Sequence, residues 1–348
     1  MLKRFARSFV IVLTFTLADN SFAWDHPGHM TTAAIAFKDI KDARPGLIEK
    51  LQLLFLSHPD TAPFWVAAGE AKGEERTRRM FLECARWADD SKFTPRDMLT
   101  WHTARWPILA DDAPEEAKKA VEALNGRPIG QAIEALKLNF GMLRNHESTA
   151  SERALGLCWV MHIVGDIHQP WHASELYSAE FPTGNAAAGL SYVDDPLTDS
   201  TIPLHILWDS NALRTPSLKA VDGAAARFRN NNPRSSYPEL TSNPVDAPDF
   251  FQNWTRESHQ VAVDWAADID AVSDKTSGQD SEALVANLVN FILNGISPVD
   301  DAPAVPDEYW EKLQDTSERR ITLAGYRIAD LVITAADDIM AQREFIGR

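Results

Sequence analysis

Apolar positions recur at helical spacing along most of the chain. Over residues 29–55 they trace one amphipathic face, interrupted at Pro45-Gly46. Residues 74–90 repeat the pattern, with Met80, Leu82 and Trp87 among the apolar positions. Residues 114–125 and 128–145 predict two helices joined through Gly126, each opening on a proline, which the first helical turn accepts. Residues 150–169 are apolar on most sides and predict a buried helix. Periodicity lapses over residues 173–203 into Ser, Gly, Thr, Asp and Pro, a long loop of the kind that often carries function. It resumes at 205–213, gives way to an irregular stretch holding Pro233, Pro238, Pro244 and Pro248, and returns over 250–268, 282–294 and 309–336. Gly295 is a natural terminator for the second of these. Repeats and low-complexity runs are lacking and alternating strands are few, so the pattern predicts an all-α fold in one mostly helical domain.

Composition adds a compartment. The 348 residues are 45% hydrophobic, enough for a large core. Lys3, Arg4 and Arg7 precede an apolar run from Phe9 to Ala18, and Ser21-Phe22-Ala23 places small residues at −3 and −1 of a cleavage site. The run is too short to span a bilayer, so residues 1–23 read as a signal peptide cleaved between Ala23 and Trp24. No later stretch reads as a transmembrane segment, and a secreted or periplasmic domain over residues 24–348 is expected. Its formal charge falls from −16 to −18 once the basic leader is removed. Such a surface repels duplex nucleic acid, and phosphate chemistry on it needs a local source of positive charge, which bound metal can supply. Cys84 and Cys158 are the only cysteines; export permits a disulfide, while their apolar helical settings equally suit buried thiols.

The candidate chemistry centres on His162-Ile-Val-Gly-Asp166-Ile-His168-Gln-Pro170-Trp-His172. His162 and Asp166 are one helical turn apart and share a face. Pro170 disfavours helix at Gln169, which places His172 just beyond the helix end. Imidazole nitrogens and carboxylate oxygens in that arrangement suit Zn²⁺. His205 and Asp209 repeat the one-turn spacing, Asp89 follows Trp87-Ala88, and His102 follows Trp101. The segment Trp24-Asp-His-Pro-Gly-His29 would begin with a free amine after cleavage, and that amine can bind zinc when deprotonated.

Taken in order, Trp24, His29, Trp-Ala-Asp89, Trp-His102, His162-x3-Asp166-x5-His172 and His205-x3-Asp209 resemble the ligand set of the S1/P1 nuclease family. Gly184-Asn185 in the long loop and Ala324-Gly-Tyr-Arg-Ile-Ala329 in the last helix are also similar to family segments, so the likeness runs over residues 24–331. It implies a domain of the phospholipase C/P1 nuclease type and a hydrolase acting on phosphodiester bonds, an endonuclease or 3′-nucleotidase. Three Zn²⁺ per chain are implied: one on Asp89, His102, His162 and Asp166, a second sharing Asp166 and held by His29 and the terminal Trp24, a third on His172, His205 and Asp209. Six positive charges against three aspartates leave the cluster at about +3, which offsets the acidic surface locally. Single-stranded DNA, RNA or nucleotides are the implied substrates, with no stable duplex binding and 5′-phosphate products. In the implied mechanism the ions sharing Asp166 activate water while the third stabilises the departing 3′-oxygen.

Two departures from the family stand out. Lys92 falls where the family usually carries an arginine near the phosphate; lysine can stabilise transition-state charge but cannot make the bidentate fork. After His102, fungal and plant members usually place an aromatic residue and, two positions later, an aspartate that hold the base, whereas this chain has Thr103 and Arg105. Stacking on an aromatic contributes roughly 1–3 kcal/mol per base, so substrate preference is expected to differ, with Trp106 or Tyr192 as replacement platforms and Asn185 as a further substrate contact. A phospholipase C-like zinc esterase is the alternative, and a non-enzymatic zinc-stabilised binding protein a third reading. The three protein ligands of the last cluster speak against the third, because structural zinc normally has four. Asn253-Trp-Thr255 is a glycosylation sequon in a host that glycosylates.

Overall fold

The computed structural model describes residues 24–92, 94–198, 200–241, 245–272, 281–295 and 302–346; the leader and its cleavage site lie outside them. Helix α1 (His26–Ala43) packs along the long C-terminal helix α12 (Asp307–Ile346) and across α4 (Gly73–Asp90), and α4 in turn packs on α7 (Ala150–Asp166). Around them lie α2 (Leu47–Phe55), α3 (Ala62–Ala68), α5 (Glu115–Ala123), α6 (Ala132–Arg144), α8 (Leu204–Ser210), α9 (Leu218–Asn231), α10 (Phe250–Val272) and α11 (Ser281–Asn294). The mostly helical architecture is therefore the one that periodicity predicts.

Helix α7 shows how the local chemistry works. Thr149 caps it in a reciprocal box: the Glu152 N–H donates to Thr149 Oγ1 at 3.2 Å, and the Thr149 N–H donates to Glu152 Oε2 at 2.8 Å. Two otherwise orphaned donors are satisfied, and Thr149→Ala should cost about 1 kcal/mol. The helix stops at Asp166, three residues before the predicted end. The ring of Pro170 would clash with the carbonyl four residues earlier, which is that of Asp166. That carbonyl accepts the Gln169 N–H at 2.9 Å instead, and a 3₁₀ turn (Pro170–Ala173) carries His172 away from the helix axis.

Among the described residues four short strands lie where the pattern predicts few or none. β1 (Trp106–Leu109) runs parallel to β2 (Ser174–Tyr177), in register Trp106↔Ser174; β3 (Tyr192–Asp194) pairs antiparallel with β4 (Thr201–Pro203). Each is too short to print an alternation, and β1 finds its partner about seventy positions away. Helix α6 starts at Ala132 rather than 128, because Arg105 and Ile129 exchange backbone hydrogen bonds at 2.7 and 2.8 Å and Gly130 turns the chain at φ +101°. Helix α9 occupies part of the stretch read as irregular. Its buried face is Val221, Ala224, Ala225 and Phe228, and with two alanines in the stripe the period is faint.

Among the described residues two large hydrophobic clusters make up most of the core, beside two small ones. The larger gathers side chains of α1, α4, α6, α7 and α12, including Phe37, Phe81, Trp159 and Tyr326. The second forms around Trp171, Val193, Leu207, Trp208 and Trp265. Cys84 on α4 and Cys158 on α7 are joined by a disulfide inside the first cluster, which decides between the two states left open for them. Closing a loop of 74 residues restricts the unfolded chain by about 4 kcal/mol in the loop-entropy picture.

Candidate metal centre

The helices place four predicted ligands on facing sides. His29 comes from the first turn of α1, Asp89 from the last turn of α4, and His162 and Asp166 from the last turns of α7. All are buried. Gly165 makes the approach possible: a Cβ there would sit 2.7 Å from His29 Nδ1. The His29 and His162 rings stack at 4.1 Å.

Asp166 presents its two oxygens to different partners. Oδ1 lies 3.2 Å from His29 Nε2, while Oδ2 lies 3.0 Å from His102 Nδ1 and 3.3 Å from His162 Nε2. Asp89 stands further back, 3.7 Å from His162 Nε2 and 3.9 Å from His29 Nε2. The clusters with ligand geometry are accordingly His29–Asp89–His162 and His102–His162–Asp166, so Asp89 and His162 stand nearer to His29 than the expected grouping places them. Trp24 is buried in the larger core cluster, and the Asp25 N–H donates to the Asp209 carbonyl at 3.2 Å, tying this segment to the remaining ligands.

Those ligands come from the other side. His172 sits on the 3₁₀ turn, and His205 and Asp209 share one face of α8, whose opposite residues Leu207 and Trp208 anchor it in the second hydrophobic cluster. His172, His205 and Asp209 form the third group that could hold an ion, with His205 Nε2 at 3.3 Å from Asp209 Oδ2. The β1–β2 pair aligns this side with His102: the Ala104 N–H donates to the His172 carbonyl at 3.0 Å.

Among the candidate ligands, three rings have Nδ1 on a backbone carbonyl: His162 on Ala85 at 2.8 Å, His172 on His102 at 3.0 Å and His205 on Ala187 at 2.6 Å. Donation there leaves Nε2 as a lone pair, the tautomer and orientation typical of metal-ligating histidine. Yet His172 Nε2 and His205 Nε2 face each other at 3.1 Å. Two lone pairs at that distance repel, and a cation between them removes the conflict.

The electrostatics agree. Burial, reinforced by neighbouring imidazoles, holds His29 and His102 well below the usual histidine range, and burial lowers His162, so all three rings are neutral near pH 7. Burial pushes the Asp166 and Asp209 carboxyls well above theirs. Burial also acts to raise Asp89, but the ammonium of Lys92 beside it outweighs burial and its pKa is lowered. Asp89 Oδ2, Asp166 Oδ1, Asp209 Oδ2 and both nitrogens of His29 are buried and make no hydrogen bond, while Asp89 Oδ1 faces Lys92 Nζ. Uncompensated buried carboxylates are costly, so this donor set fits divalent cations.

Other predicted site residues divide. Lys92 Nζ lies 2.7 Å from Asp89 Oδ1 with its side chain almost wholly buried, beside the centre as expected. Asn185 fastens the long loop to β2, donating its N–H to the Leu176 carbonyl and accepting the Leu176 N–H on Oδ1; its Nδ2 is buried without a partner. Thr103 is buried against Gly130, where a Cβ would meet its Oγ1 at 2.5 Å. Arg105 is buried beside Glu175, with Nε 3.4 Å from Oε2. Neither replacement platform offers an open ring: Tyr192 is fully buried, and Trp106 is 2% exposed with Arg256 lying over its face. Gln169 is a contributor that the ligand pattern does not include. Its Nε2 donates to Asp209 Oδ1 at 2.7 Å, and its position between the helix end and Pro170 was the available signal. His168 lies inside the same motif but turns away, accepting from Arg327 Nη1 at 2.8 Å.

Residues 24–337 match the family model described as S1/P1 Nuclease. The chain is also 23% identical over 324 residues to Nuclease S1 of Aspergillus oryzae (strain ATCC 42149 / RIB 40), across 91% of this chain and 93% of that protein.

Proposed function

The chain belongs to the S1/P1 nuclease family, hydrolases of phosphodiester bonds in nucleic acids, and from that premise we propose that it is a secreted, zinc-dependent enzyme. Its substrates in this reading are single-stranded DNA or RNA, cleaved to 5′-phosphate products, and 3′-nucleotides, hydrolysed to nucleoside and inorganic phosphate. One observation carries the reading: three buried groups, His29–Asp89–His162, His102–His162–Asp166 and His172–His205–Asp209, each bring ring nitrogens and carboxylate oxygens close enough together to hold an ion. Asp89, His102, His162 and Asp166 would hold one ion; Asp166, His29 and the Trp24 terminus a second; His172, His205 and Asp209 a third. Bound zinc supplies Lewis acidity and brings the pKa of water toward about 7.

The protein's own groups do the positioning. Asp166 aligns two subsites by dividing its oxygens between His29 and the His102–His162 pair. Backbone carbonyls fix the rings, and Gln169 fixes Asp209. Lys92, drawn in by Asp89, brings a buried ammonium to the place where non-bridging phosphate oxygens gather charge. With lysine in place of arginine, that stabilisation is a point charge rather than a fork. Lys92→Met should lower kcat roughly 10²-fold with metal content unchanged; unchanged kcat would remove Lys92 from the mechanism. Asn185 Nδ2 is the substrate-side group we retain, while the Arg105–Glu175 pair leaves Arg105 committed elsewhere.

Secretion rests on the leader pattern, and the family match begins at Trp24, where cleavage is predicted. Among the described residues no helix is long and apolar enough to cross a membrane. The decisive experiment offers the mature, zinc-loaded protein single-stranded DNA, RNA, 3′-AMP and phosphatidylcholine. Hydrolysis of the nucleic acids or nucleotide is expected. Turnover of the lipid alone would assign a phospholipase C-like esterase, and zinc near zero per chain would overturn the metal mechanism. A version extended upstream of Trp24 should lose the shared-ion site and most activity; full activity would refute the role of the terminus.

A further inference from the structure

Behind the His172–His205–Asp209 group the backbone takes a form that L side chains avoid. Ala186, Ala187 and Ala188 have φ of +52°, +57° and +68°. Single residues visit the left-handed region, but three consecutive non-glycine residues stay there only if surrounding contacts hold them. The turn is closed by the Gly189 N–H on the Ala186 carbonyl at 2.9 Å and the Leu190 N–H on the Asn185 carbonyl at 3.1 Å.

The geometry aims two of its carbonyls at one side chain and its backbone. Ala187 O faces His205 Nδ1 at 2.6 Å, and Ala188 O accepts the His205 N–H at 3.3 Å. Beneath the turn lies Glu175 of β2, buried, with Oε1 accepting the Ala187 N–H at 3.2 Å. Gly184, at φ +98°, lets the carboxylate in: a Cβ there would fall 2.7 Å from Oε1. The second oxygen of Glu175 faces Arg105, itself buried and bridged through its backbone to Ile129. A continuous path therefore runs from Arg105 through Glu175 and the Ala187 peptide to the ring of His205.

We propose that Glu175 is a positioning residue for the His172–His205–Asp209 site: its carboxylate, paired with Arg105, holds the left-handed turn whose Ala187 carbonyl orients His205 toward a bound metal. The proposal rests on the reading of that group as a metal site. It also assigns Arg105 a task, that of securing a carboxylate behind a ligand rather than contacting a base.

The test uses the full mature chain with Zn²⁺ or Co²⁺ as the probe, measuring metal per chain, affinity by chelator competition and the visible absorption of the cobalt form, with thermal unfolding monitored in parallel. Glu175→Gln retains an acceptor oxygen for the Ala187 N–H and should keep the site within about threefold. Glu175→Leu combined with Arg105→Leu removes both buried charges but also the acceptor. It should bind one ion roughly 10–100-fold more weakly and change the cobalt spectrum, leaving the Asp166-centred ions in place. Adding Ala187→Gly, which takes φ +57° without steric cost, should recover part of that affinity. A role confined to charge pairing predicts the reverse, damage in Glu175→Gln and full rescue in the double leucine variant, and either result overturns the proposal. If the double variant does not fold, Glu175→Met takes its place: roughly tenfold weaker binding of one ion supports the proposal, and unchanged binding overturns it. Asp209→Asn separates the two levels of inference. If it leaves metal binding untouched, the reading of the group as a metal site has failed; if it removes one ion while the double leucine variant keeps all, only the role of Glu175 has.

Discussion

The two sides of the candidate metal centre are built by different means. His29, Asp89, His162 and Asp166 stand on the ends of long helices whose opposite faces fill the larger core cluster, and two of those helices are joined by the Cys84–Cys158 disulfide. His172 and His205 stand on a 3₁₀ turn and a seven-residue helix, and their directions are set by hydrogen bonds from loops: the His102 carbonyl, the Ala187 carbonyl, and for Asp209 the Gln169 amide. Helices placed by core packing give ligands whose position is as firm as the fold. Loops give ligands whose position depends on a few hydrogen bonds, each removable without unfolding the chain. Damage on the helical side should therefore spread to stability and to two ions, and damage on the loop side should stay with one.

The comparison breaks first at the aspartates. In the proposed arrangement, where Asp166 would be shared by two ions, Asp166→Asn should weaken both and lower kcat/KM by at least ~10³-fold, whereas Asp209→Asn should weaken one. Metal analysis of the two variants side by side checks this, and equal zinc loss would contradict the bridging role. Next in size is the disulfide. Cys158 lies one turn before His162, and Cys84 adjoins Ala85, whose carbonyl orients the His162 ring. Replacing both cysteines by alanine should lower unfolding stability by about 2–5 kcal/mol and weaken the helical-side ions, with the third unaffected; denaturant melts and metal titrations report the two effects separately. If the third ion weakened most, the division into two sides would be wrong. Gln169→Leu is the smaller loop-side counterpart. Removing the amide that holds Asp209 Oδ1 should weaken the third ion by roughly tenfold, with the unfolding midpoint nearly unchanged. A stability loss as large as that of the disulfide variant would show that the loop side carries the fold as well.

Much of the helical side was legible before folding. His162 and Asp166 share a face because 3.6 residues make a turn, and the same arithmetic pairs His205 with Asp209. The break at Pro170 follows from a ring that clashes four residues back. Less was legible on the loop side. A left-handed turn of three alanines has no signature in residue type, since alanine is the commonest helix former and says nothing of positive φ. Thr103 and Arg105 stand at the positions where the family resemblance implies substrate contacts, yet their chemistry depends on Gly130 and Glu175, which only folding brings to them. Helix α9 leaves little trace in the sequence because its buried stripe includes two alanines, and the short strands leave none because their partners are distant or their runs only three or four residues long.

What the chain determines alone is the inventory of ligands, their spacing along helices and the places where helices end, because each is a matter of neighbours within about four residues. Tertiary structure decided the rest. It set which oxygen of Asp166 faces His29 and which faces His102, and which carbonyl fixes each ring. It also joined Cys84 to Cys158 and turned His168 away from the ligands to the buried Arg327. These are contacts between residues tens of positions apart, and their directions come from how helices and loops pack, which no local period records.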